Sequence, residues 1–168
     1  MRFSPPRFFA AVLALVVALI GGFGMAPAAF AQDNAVDYTL TDLSFRDFSG
    51  KQLSGTSFAA AEMREANFEQ ADLSKTILTK ASFLRANLTG ANLSGTFADR
   101  VIFDGADLSN ALFIDALLTS SSFTDATITG ADFSGAIIDR FQTAQLCKRA
   151  DGVNATTGAV TRDSLGCR

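Results

Sequence analysis

Histidine and tryptophan are absent from the 168 residues, and cysteine occurs only twice. Without His there is no imidazole acid–base chemistry and no His metal site, and two Cys are too few for the usual zinc-finger patterns. No cofactor is expected. Neither sign of charge dominates, because fourteen Lys and Arg stand against seventeen Asp and Glu, a net charge of −3. That leaves no basic field to hold nucleic acid and no dense acidic imitation of a polyanion. Charged residues are only 18% of the chain and apolar ones 48%, which excludes disorder along its whole length. The length is that of about one domain.

What is present begins with an address. Arg2 and Arg7 form a short basic stretch, and Phe8 to Met25 carries no charge. Ala29-Phe30-Ala31 then provides an A-x-A cleavage signal, which predicts a secretory signal peptide over 1–31 and a cut before Gln32. The competing reading is a membrane anchor, since the apolar run is at the lower edge of a spanning helix. The tight A-x-A and the polar residues after it favour cleavage, with no membrane insertion afterwards. No twin-Arg pair and no Cys at the cut are present, so general export without a lipid anchor is expected. The remaining chain keeps twelve Lys and Arg and all seventeen acids, for a net charge of −5.

From there the chain is a repeat of five. Stepping by five from Tyr38 to Ile138 meets a large apolar residue every time except at Ala98. Two residues before this centre the chain is usually Ala, as at Ala61, Ala81 and Ala111. Its immediate neighbours are mostly Asp, Asn, Ser or Thr. Two residues after it lie the glycines, such as Gly55, Gly95 and Gly135, and never a β-branched residue. A fixed period takes precedence over other patterns. On an extended segment the small residue and the centre share a face and point inward, while the residue between them points out. The next two residues make a corner, and a glycine-rich second corner position suits the positive φ of a type II turn. Four such sides make a square coil of twenty residues, and residues 36–140 give about five coils, stacked at about 4.8 Å as parallel strands. The fold class is thus an all-β solenoid.

The stretches Ala71-Asp-Leu-Ser-Lys75, Ala86-Asn-Leu-Thr-Gly90, Ala91-Asn-Leu-Ser-Gly95, Ala106-Asp-Leu-Ser-Asn110 and Ala131-Asp-Phe-Ser-Gly135 carry this rule almost letter for letter. They resemble the pentapeptide-repeat family, whose pattern is A(D/N)LXX. The resemblance implies a right-handed quadrilateral β-helix over 32–140. Leu40 to Phe58 matches less well, with Arg46 and Lys51 in the small-residue position, so an irregular first coil is expected.

After Ile138 the repeat stops, leaving residues 141–168 as a helical cap. Asp139 is placed to cap a helix over about 140–150, ending before Gly152. Phe141, Ala144 and Cys147 or Lys148 share the side expected to lie over the last coil. One more helical turn is expected near Thr161. Two cysteines in an exported chain read as one disulfide, Cys147–Cys167. A reactive thiol pair is the alternative, but the spacing is nothing like C-x-x-C. The tail also looks like the end of thylakoid-lumen pentapeptide proteins, which implies a thylakoid lumen or a periplasm.

Sorting outward residues by twenties isolates one unusual ladder: Ser57, then Ile77, Phe97, Leu117 and Ile137. Beside it, at a corner, run Lys80, Arg100, Ser120 and Arg140, a mostly basic edge. The other outward ladders are polar apart from Ile102 and Leu112. An apolar stripe reads as a contact surface for an unknown protein partner or a second copy. Its alternative is cover by the chain's own ends, residues 32–37 or those after Arg140. Phe97 has a third option, swinging inward beside the small Ala98.

Other motifs are weaker. Asn87, Asn92 and Asn154 fit the glycosylation sequon, the first two as by-products of the repeat. Asp47 with Asp107, and Asp72 with Asp132, lie on polar ladders, read as solvated faces rather than cation sites. No G-x-S-x-G and no phosphate loop occurs. The expected function is a non-enzymatic scaffold or protein-interaction module. The alternative, a DNA-mimic inhibitor of a topoisomerase-type enzyme, requires cytosolic retention and conflicts with the export signal.

Overall fold

A computed structural model describes residues 36–168, so the expected signal peptide lies outside the described residues. Within them the repeat folds as a stack of coils. Every outward residue pairs in parallel with the residue twenty positions on, from Asp37 with Ser57 to Leu117 with Ile137. Four ladders run along the tower, one per side. The second residue after each centre has positive φ, from Leu40 at 58° to Gly135 at 71°. Only that corner position is left-handed, the signature of type II turns. Many of these corners are not glycine, and Lys75 and Arg85 both sit at 57°. They are unbranched at Cβ, which is why β-branched residues are missing there.

Side chains outside the corner also hold it. Asp42 Oδ1 accepts the amide of Ser44, and Asn92 Oδ1 accepts that of Ser94, both within 3.1 Å. The Asp or Asn before each centre thus locks the turn that follows, as Asx side chains do. Asn87 adds a bond from its amide to Asn67 on the coil before, at 3.0 Å. Where Thr replaces Ala in the small slot, as at Thr76 and Thr96, its hydroxyl donates to the carbonyl three residues back.

The centres fill the axis. Phe83, Phe103 and Phe123 are fully buried and stack on successive coils, with ring centroids 5.1–5.4 Å apart. Tyr38 on Phe58 and Phe48 on Phe68 continue the pattern at the first coil. That coil keeps the common register and turns, contrary to the expected irregularity. Arg46 and Lys51 change its exposure, not its path. Near Ala98 the turn is opened. The Ser121 hydroxyl donates to the Ala98 carbonyl and accepts the Val101 amide, replacing the direct turn bond. Buried Val101 occupies the small slot there, and Phe97 does not swing inward.

The C-terminal segment forms α1 (Arg140–Leu146) and α2 (Thr161–Ser164), with Val153 pairing antiparallel to Val160. Three local expectations are corrected. Asp139 makes no side-chain cap on α1, because its Oδ2 accepts the Ser120 amide at 2.6 Å. The helix ends at Leu146, short of Ala150, since Arg162 takes the Cys147 carbonyl and the Asp151 carbonyl goes to Gly130. Leu146 is its buried contact, while Phe141 is 69% exposed and Ala144 is also exposed.

Polar side chains close the last coil. Arg149 donates to the carbonyls of Phe123 and Ala126. Asn154, 1% exposed, donates to the carbonyls of Asn110 and Gly130. Its sequon is therefore structural, with no free amide for a glycan. A Cβ on Gly152 would lie 2.7 Å from the Gly130 nitrogen, so the tail needs glycine to approach the coil. Cys147 and Cys167 are bonded, with Cα atoms 5.6 Å apart. Asp132 is 2% exposed, not a solvated ladder residue, and it accepts the hydroxyls of Ser134 and Thr157. Burial raises its carboxyl pKa, but the Ser134 hydroxyl and amide and the Thr157 hydroxyl outweigh this, leaving it below the ordinary value.

Two predictions follow from the corner and the cap. Lys75→Val forces a β-branched residue to φ near 57°, where such side chains are outliers, and should destabilise the fold beyond the cost Lys75 already bears. Thermal melts should show a lower Tm, whereas Lys75→Gly should melt close to the natural protein. For Asp132 the folded pKa is depressed, so its stabilisation is complete above the unfolded pKa, about 3.9, and is lost as pH falls through the folded value. The Tm drop between pH 7 and pH 3 should be smaller in Asp132→Asn than in the natural protein, and an equal drop would contradict the assignment.

Candidate functional site

One face breaks the rule that outward residues are polar. Ser57, Ile77, Phe97, Leu117 and Ile137 pair in sequence as neighbours on successive coils. Backbone pairing fixes their spacing at about 4.8 Å and points every side chain outward. Ile77 is 45% exposed, Phe97 59% and Ile137 59%, while Leu117 is half-buried. Burying large apolar groups is favourable, so leaving four in one row is costly unless something covers them. Within residues 36–168 nothing does. The tail reaches instead to Asn110, Phe123, Ala126, Gly130 and Asp132. This excludes the residues after Arg140 as the cover. Of residues 32–37, the other proposed cover, 32–35 lie outside the described residues.

The apolar surface is wider than the outward ladder alone. Leu112, Ile114 and Leu117 fall in one coil, with half-buried Ile114 at the corner leading into the stripe. Reading only outward positions missed Ile114, because it sits one residue after a centre. The signal for it was its own hydrophobicity at a position otherwise given mostly to Ser, Thr and Asp.

The edge beside the stripe is less basic than its Lys and Arg suggest. Arg100 Nε lies 2.7 Å from Asp99 Oδ2, and Thr119 donates to Asp99 Oδ1 at 2.8 Å. The Thr119 hydroxyl first, then Arg100 and the nearby Lys80 charge, hold the Asp99 carboxyl below its usual value. Lys80 and Arg140 make no ion pair among the described residues. The edge is thus a row of cations with one charge neutralised at Arg100.

Among the described residues no three His, Cys, Asp or Glu side chains gather to hold a metal. Asp47 and Asp107 face solvent on their ladder. Both cysteines are spent in the disulfide, so the thiol-pair alternative has no free thiol. No described helix is long and apolar enough to cross a membrane.

Comparison with known proteins agrees with this geometry. A family model described as pentapeptide repeats matches residues 39–74, 66–105 and 102–139. The structure of a pentapeptide repeat protein from the thylakoid lumen of Arabidopsis thaliana is 43% identical, with a TM-score of 0.57. The match covers 76% of this chain and 88% of that one. A pentapeptide repeat protein from Nostoc is 18% identical over 77% of this chain and 94% of that one, with a TM-score of 0.52, a likeness of fold alone. No curated protein matches the chain. These neighbours imply the right-handed quadrilateral β-helix expected from the repeat. The twenty-residue coil, the family match over more than half of the sequence and the 43% identity lead to one conclusion: the chain belongs to the pentapeptide-repeat family.

Proposed function

We propose that this protein is a non-enzymatic scaffold, exported to a thylakoid lumen or a periplasm, that binds a protein partner through the Ile77–Ile137 ladder. Five coils would form its rigid body, and the disulfide-bonded segment after Arg140 its cap. The observation that carries the reading is the uncovered apolar row on an otherwise polar tower. A rigid sheet face presents such a row with little ordering cost on binding, because its backbone is already fixed. The lumenal origin of the Arabidopsis thaliana neighbour supports the compartment, and the A-x-A signal supports export. The disulfide fits an oxidising compartment.

The test compares natural protein with an Ile77→Asp, Leu117→Asp double variant. Because these side chains point outward, the variant should stay folded and lose no more than a few degrees of Tm. Affinity capture from the native compartment should recover a specific partner with the natural protein and not with the variant. Equal recovery with both would move recognition to the polar faces or the cap. A collapse of Tm would show that the stripe is buried in the folded protein.

A further inference from the structure

The first described coil has the backbone of every other coil but, among the described residues, no neighbour on one side. From Glu62 on, each outward amide donates to the coil before it: Glu62 to Thr41, Asn67 to Arg46, Asp72 to Lys51. The equivalent amides of Asp42, Asp47 and Gln52 have no acceptor among the described residues. Their carbonyls have no donor either, whereas those of Glu62, Asn67 and Asp72 all accept. Such a row of unpaired groups is a template for another chain. Val36, Leu40 and Phe45 are exposed on the same coil and add apolar surface to it.

The two ends of the tower differ. The last coil is closed by α1, Arg149, Asn154 and the disulfide. End-to-end pairing is therefore open only head to head, where a two-fold axis brings the same edge against itself.

One sequence feature sits at this edge and nowhere else. The small slot before each centre holds Ala, Thr, Ser or Val from Thr56 through Ala136, and those side chains are buried up to Ala131. In the first coil the slot holds Arg46 and Lys51, both exposed. Arg46 and Lys51 keep the same turn bonds, to Leu43 and Phe48, that Ala66 and Ala71 make to Met63 and Phe68. The backbone thus aims a cation where later coils aim a methyl group. Neither cation is ion-paired among the described residues.

We propose that Arg46 and Lys51 guard the first coil against head-to-head pairing with a second copy of this chain. Covering the edge would strip water from two cations in each copy that make no ion pair with Asp42 or Asp47, the outward carboxylates whose charge they feel on the same coil. An inward-aimed charge on an edge strand is a known means of preventing such pairing. The inference is independent of the apolar stripe, which lies on later coils.

The full chain carrying Arg46→Ala and Lys51→Ala tests it. Light scattering over a concentration series should find the natural protein monomeric and the variant dimeric, with self-association at least about ten-fold tighter. The change would occur although the variant carries more net negative charge. An Arg64→Ala, Arg85→Ala variant makes the same change of charge on the next two coils and should remain monomeric. Amide exchange gives a second reading: Asp42, Asp47 and Gln52 should exchange fast in the natural protein and slowly in the dimer. A double variant that stays monomeric, a control that dimerises equally, or protected first-coil amides in the natural protein would each overturn the proposal.

Discussion

Asn67 donates its amide to Arg46 one coil back, and its neighbour Phe68 donates to Asn87 one coil ahead. This alternation, repeated along four sides, is the constraint on which the rest of the structure depends. It requires residues twenty apart to lie in register, and register fixes which side chains point inward. Insertion of a single residue would turn axis residues outward through the rest of a coil. The five-residue rule in the sequence is the imprint of that demand. Large centres meet on the axis, small residues fit beside them, and Asx side chains fix each corner before the next side begins.

Among the described residues the same pairing leaves two unlike ends. Repetition supplies partners for interior coils but none for the first and last, so an end must be closed by other means. The C-terminal segment brings a helix, a disulfide, an Arg and an Asn whose side chains donate to carbonyls of the later coils, and a Thr157 hydroxyl held by a buried carboxylate. At the first coil only the slot residues change. Between the ends the outward and centre amides are paired with the adjacent coils.

The repeat was legible because it is enforced twenty times over, and each centre reports on the same geometry. The stripe was legible for the same reason, since period five assigns Ile77, Phe97, Leu117 and Ile137 to one outward row. Features that occur once were harder to read. Asp139 looked like a helix cap but is drawn to the Ser120 amide of the neighbouring coil. Phe141 looked like the buried face of α1, whereas Leu146 is the residue of that helix that joins the core. Asp132 lies on a polar ladder yet is covered by the tail, a contact 25 positions away. Arg100 lies on the basic edge, yet it pairs with Asp99, its immediate neighbour. Such contacts depend on where non-repeating segments come to rest, and no period records that.

Recognition by a solenoid side is a claim about one face against three others, and it is best tested by position. A photo-crosslinking amino acid replaces Phe97 on the stripe or Asp107 on the polar ladder, and each protein is irradiated in the compartment where it resides. Both positions are outward on their sides, and they lie ten residues apart in the repeat. The account predicts a discrete crosslinked product from position 97 and none from position 107. Equal crosslinking from both, or a product from position 107 alone, would contradict it.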